Sequence, residues 1–124
     1  MKKDFKDLKV YQLSLELFQN VLKDVDSIPD DRVGNLIADQ VLRSVSSISA
    51  NIAEGYGRMK GREYIHFLYI SRGSLTETID WYLKLKLIGY ISEELYLERI
   101  NLLNRIRALL TGLINSLESK YNNS

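Results

Sequence analysis

Glu63 and His66 stand three residues apart, the spacing that sets a carboxylate and an imidazole on one helix face in di-iron bundle sites. Such sites take two E-x-x-H pairs and two further glutamates, and His66 is the only histidine of the chain. His66 therefore reads as a partly exposed side chain near a helix start, and no metal is expected. Gly55-Tyr56-Gly57 followed by Gly61 misses the G-x-G-x-x-G phosphate loop by one residue and follows a helical pattern instead of a strand. Serines are numerous, but a single histidine and the lack of a G-x-S-x-G elbow leave a catalytic triad without support. Glu54 and Glu77 are spaced to meet across two helices, where accepting hydrogen bonds from Ser, Asn or Arg suits them better than catalysis. The expectation is a protein that is not an enzyme, with no cofactor and no small-molecule substrate.

Two features have more to offer. The first is a polar line, Gln40, Ser44, Ser47, Asn51, Glu54 and Arg58, at spacings of four and three, with Arg43 beside it. On a helix it lies roughly 100° from an apolar line of Ile37, Val41, Val45, Ile48 and Ile52, so it borders the apolar face instead of opposing it. Groups at such a border fix helix register or subunit pairing, because a half-buried Asn or Glu must find partners. Ser74 and Glu77 on the following helix are the expected partners. A groove binding a ligand through Arg43, Asn51, Glu54 and Arg58 is the alternative. The second feature is a basic group, Arg58, Lys60 and Arg62, with Tyr56 and Tyr64 beside it, the chemistry that contacts phosphate and stacks a base.

Four helices must position these groups. Leu8, Tyr11, Leu15, Phe18, Leu22 and Val25, widened by Val10, Leu17 and Val21, predict a helix over about residues 6–26. Pro29 and two aspartates then open a helix over about 30–56, ended by a glycine-containing loop at Gly55, Gly57 and Gly61. Tyr64, Leu68, Ser71, Leu75, Thr78, Tyr82 and Leu85 mark a third helix over about 61–88, stopped by Gly89. Ser92 caps a fourth, whose core row is Tyr96, Leu103, Ile106, Leu110, Leu113 and Leu117 with Arg99 in its one polar slot, to about residue 119. The tail from Lys120 is expected to fray. Short connections between long helices predict an all-α, antiparallel up-down-up-down four-helix bundle, one domain over residues 1–124.

Composition narrows the partners. Seventeen Lys and Arg against sixteen Asp and Glu give a net charge of +1, which supplies no global attraction for nucleic acid or an anionic membrane. The absence of cysteine removes disulfides and thiolate metal sites. No stretch approaches the roughly 20 apolar residues of a membrane span. The opening MKKDFKDLKV alternates charged and apolar residues where a signal peptide needs an apolar run, so a cytoplasmic protein without membrane association is expected.

F-K-D-L-K-V-Y-Q at 5–12, Q-V-L-R-S-V-S-S-I-S-A-N-I-A-E-G at 40–55, R-G-S-L-T-E-T at 72–78 and G-Y-I at 89–91 resemble the four-helix-bundle proteins encoded in intervening sequences of bacterial 23S ribosomal RNA genes. The related accessory protein of diversity-generating retroelements has the same bundle. The resemblance implies a homo-oligomer, a pentameric ring of bundles around a central channel. For the retroelement relative it also implies binding to nucleic acid and to a reverse transcriptase. The matching residues are Gln40, Arg43, Asn51, Glu54, Gly55, Gly73, Ser74 and Glu77. Ser44 departs from the alanine of the pattern and adds polarity to the line, and the near-neutral charge departs from the strongly basic relative. Two functions compete: a homo-oligomeric interaction protein whose helix borders form subunit contacts, and a nucleic-acid-binding accessory factor using a ring of basic loops.

Overall fold

The computed structural model describes residues 3–58 and 61–122. Four helices dominate it: α1 (Lys9–Asp26), α2 (Arg32–Arg58), α3 (Gly61–Leu87) and α4 (Glu93–Asn122), preceded by a 3-10 turn at Phe5–Asp7. Neighbouring helices pack as α1–α2, α2–α3, α3–α4 and α4–α1, and among the described residues the backbones of diagonal helices stay apart, with the Tyr82–Asp24 side-chain bond reaching across from α3 to α1, which is the plan of a four-helix bundle. Hydrogen-bonded partners run in opposite senses along α2 and α3, Ser44 to Thr78 and Ile48 to Ser71, so these two are antiparallel. The pairs Arg62–Tyr121, Tyr69–Glu118 and Arg72–Thr111 do the same for α3 and α4. Residues 27–31 join α1 to α2; five residues reach at most ~18 Å, too short to return along an 18-residue helix of ~27 Å.

Local chemistry sets the helix ends. Asp31 caps α2 by accepting from the Gly34 amide at 2.7 Å, so the helix starts just past both aspartates and Pro29 stays in the preceding turn. Gly89, at φ +77°, closes α3 with a Schellman motif, the Tyr90 amide donating to Leu85 and the Gly89 amide to Lys86. Ser92 caps α4 through the Leu95 amide at 3.1 Å. Further boundaries differ from the sequence expectation, and α1 starts at Lys9 after the 3-10 turn instead of near residue 6. α2 continues through Gly55 and Gly57 to Arg58, and α4 continues to Asn122 instead of fraying at Lys120. Gly55 serves close packing, not chain reversal: a Cβ there would lie 3.0 Å from Phe67 Cβ and 3.2 Å from the Tyr64 carbonyl.

The core is apolar and continuous. All seven residues of the α3 row and all five of the α2 row are buried, and Leu103, Ile106 and Leu110 carry the α4 side. α1 is turned relative to the expected row. Val10, Leu13, Leu17 and Val21 enter the core, whereas Leu15 and Leu22 remain 40% and 41% exposed. The two rows are one residue apart, about 100° of rotation, and the three other helices fix which of them faces inward. No described helix is long and apolar enough to cross a membrane.

Candidate functional site

Most of the polar line closes onto α3 of the same chain. Arg43 donates to Gln40 Oε1 at 3.1 Å and pairs with Glu77. Glu77 also accepts from Trp81 Nε1 at 3.3 Å. The buried Ser44 and Thr78 hydroxyls meet at 2.8 Å, and Ser71 donates to the Ile48 carbonyl at 2.8 Å. Ser47 Oγ accepts from Asn51 Nδ2 and from Ser74 Oγ, each at 2.8 Å. Small side chains let α2 and α3 approach, and each hydroxyl removed from water finds a partner. Glu54 stands apart: it pairs with Arg58 at 3.2 Å on its own helix and does not meet Glu77, because the antiparallel register sets Glu77 opposite Arg43.

A second polar cluster lies between α1, α3 and α4. Asp24 accepts from Arg99 Nε at 2.6 Å and Nη2 at 2.9 Å, a two-pronged pair, and from the Tyr82 hydroxyl at 2.6 Å. Side-chain exposure is 6% for Asp24 and 14% for Arg99, so this ion pair is largely removed from water. Burial, then the Asp24 bond, pushes the Tyr82 phenol far above its ordinary range. The hydrogen bond to Asp24 raises the Arg99 guanidinium further still. Sequence reading saw Arg99 as a polar slot but missed Asp24, which sits one position from the apolar Val25.

The basic group at the α2–α3 turn disperses. Arg58 is engaged by Glu54 and by Glu63 at 3.8 Å, and its guanidinium lies 5.4 Å from the centre of the Phe67 ring. Tyr56 is half-buried and meets Tyr64 edge-on at 6.1 Å. Lys60 lies outside the described residues. Arg62 turns the other way, donating from Nε to the Tyr121 hydroxyl at 3.0 Å with its guanidinium 4.7 Å from the ring centre. It lines a groove of about 270 Å³ with Ile65, His66, Tyr69, Glu118, Tyr121 and Asn122. The α3 members recur at i, i+3, i+4 and i+7, a spacing visible in the sequence; the expectation of a frayed tail concealed Tyr121 and Asn122. Tyr69 donates to Glu118 at 3.0 Å, and that bond raises the Tyr69 phenol above its ordinary value. Glu63 faces Arg58 while His66 faces the groove, so the E-x-x-H pair does not act together. Among the described residues no group of three or more His, Asp or Glu is placed to hold a metal ion.

A family model described as 23S rRNA-intervening sequence protein matches residues 6–112. Among solved structures, the chain is similar to a protein of unknown function from the S23 ribosomal protein family of Bacteroides thetaiotaomicron. The two share 28% identity and a TM-score of 0.79 over 85% of this chain and 97% of that one. No curated protein matches the chain.

Proposed function

We propose that this chain, which belongs to the 23S rRNA-intervening sequence protein family, is a non-catalytic interaction protein of the cytoplasm that works as a homo-oligomer. The observation that carries this reading is the second apolar row of α1. Tyr11, Leu15, Phe18 and Leu22 recur at alternating steps of four and three, the spacing of a helix–helix seam, and Leu15 and Leu22 are 40% and 41% exposed. Tyr11 and Phe18 are half-buried against the chain's own core, so the row borders the bundle and presents Leu15 and Leu22 outward. The occupant of this exposed border is a second copy, and a closed ring forms when the Leu15–Leu22 border of each copy meets a different face of the next. The polar line, whose hydroxyls are taken up between α2 and α3, is relieved of that task. Five is the subunit number that the family resemblance implies.

Size exclusion with light scattering at micromolar concentration tests the reading. A mass near five times the 14.3 kDa chain is expected. Another closed multiple would correct the number, and a monomer would overturn the reading. A nucleic-acid-binding accessory role keeps one observation in its favour, the arginine of the α2–α3 turn that no described carboxylate pairs, Arg62.

A further inference from the structure

Among the described residues, Arg62 is one of several arginines without a carboxylate partner, with Arg32, Arg72, Arg105 and Arg107, and of these it and Arg72 lie against the groove tyrosines. Arg43, Arg58 and Arg99 are each paired with a carboxylate within the bundle. Arg62 bonds a phenol through Nε only, and among the described residues no carboxylate lies within ion-pair distance of it. Its terminal nitrogens face solvent at the edge of a groove that also exposes the His66 imidazole, where they can reach a ligand. A guanidinium with free terminal donors beside a neutral or protonated imidazole recognises phosphate oxygens.

The walls of the groove add a second requirement. Tyr121 stacks under Arg62, and Tyr69 carries the guanidinium of Arg72 4.9 Å from its ring centre, so both rings are held flat by a cation. Arg72 is itself anchored by donating to Thr111 at 3.1 Å. Tyr69 and Tyr121 line the groove together with Ile65, and base–aromatic stacking is a usual occupant of such a lining. The Glu118 carboxylate would repel a phosphate placed over it, but one of its oxygens is held by Tyr69 and the group still has lone pairs for hydroxyl donors. A carboxylate in a phosphate-facing groove is the group that takes a ribose hydroxyl. The volume of about 270 Å³ is near the lower end of ligand pockets and admits one nucleotide, not several.

We infer that the Arg62–Tyr121–Tyr69–Glu118 groove is a site for a single ribonucleoside monophosphate. Arg62 and His66 hold its phosphate, the tyrosines hold its base, and Glu118 with Asn122 holds its sugar hydroxyls. All the residues that line it come from one chain. The nucleotide is either free or the terminal residue of an RNA strand.

Isothermal titration of the full chain with AMP, dAMP and adenosine, together with fluorescence anisotropy of a 5′-phosphorylated A10 RNA and its unphosphorylated counterpart, tests this. The expected result is that AMP binds in preference to dAMP and adenosine. Arg62→Gln should weaken AMP by about ten- to hundredfold, as expected for loss of charge-assisted hydrogen bonds. Glu118→Gln, which keeps the shape, should erase the preference for AMP over dAMP. AMP binding without a preference for phosphorylated RNA assigns the site to a free nucleotide, and tighter binding of phosphorylated RNA assigns it to a strand end. The inference fails if neither AMP nor the phosphorylated RNA binds at millimolar concentration, or if Arg62→Gln, folded by circular dichroism, binds as the wild type does.

Discussion

Along the α2–α3 seam, polarity is spread over neutral hydroxyls, Ser44, Ser47, Ser71, Ser74 and Thr78, each with a nearby partner. Between α1, α3 and α4 it is concentrated in one ion pair, Asp24 and Arg99, with Tyr82 completing the carboxylate's shell. The distributed arrangement carries no net charge, so removing a member leaves at most one hydroxyl or carbonyl short of a partner. The concentrated arrangement leaves a buried charge when either member goes. The first is tolerant and sets register; the second ties three helices at one point and is fragile.

That contrast orders the expected stability losses. Asp24→Ala leaves the Arg99 guanidinium, only 14% exposed, with the 3.7 Å contact to the exposed Glu98 alone and should cost about 3 kcal/mol in urea unfolding. The double variant Asp24→Leu with Arg99→Leu should recover most of that loss, since no charge then remains buried; equal losses for single and double variants would break the comparison. Tyr82→Phe should cost about 1–2 kcal/mol, because one hydrogen bond to a charged acceptor goes while the ring stays packed.

Tyr82 also gives the comparison a pH signature. Its folded phenol is held above the ordinary value, so its contribution to stability is full below about pH 10 and declines as pH rises, because the unfolded chain ionises first. Melting temperature should therefore fall more steeply from about pH 9 to about pH 11 in the wild type than in Tyr82→Phe. Parallel curves would remove Tyr82 from the account. On the seam, Ser71→Ala should cost about 1 kcal/mol, leaving the Ile48 carbonyl with its helical bond only. Arg43→Ala, at an exposed pair, should shift urea midpoints least, by less than about 0.5 kcal/mol.

How much of this was legible in the sequence follows from the range over which each signal acts. The buried rows of α2 and α3 repeat within one helix, so spacing alone reveals them: Leu68, Leu75 and Leu85 are buried as their period requires. α1 carries two rows one residue apart, and period cannot say which faces inward, so Leu15 and Leu22 were placed in a core they only border. Asp24 finds Arg99 across 75 residues, and no local pattern announces a pairing of that range. Gly55 and Gly61 are both kept small by neighbours, Phe67 and Tyr64 for the first and the Tyr121 ring for the second, and Gly61 has in addition a positive φ of 23°. The groove was half legible, since Arg62, His66 and Tyr69 share a helix face, while Tyr121 required α4 to continue past the expected end.

If the seam is internal and the outer row of α1 is the contact between copies, the two regions must respond differently in assembly as well as in stability. Sedimentation velocity of three proteins at equal concentration tests this most directly: the wild type, Leu15→Glu with Leu22→Glu, and Ser47→Ala with Ser74→Ala. The account predicts an oligomer for the wild type and the serine variant, and a folded monomer for the glutamate variant. A glutamate variant that stays oligomeric, or a serine variant that alone dissociates, would contradict it.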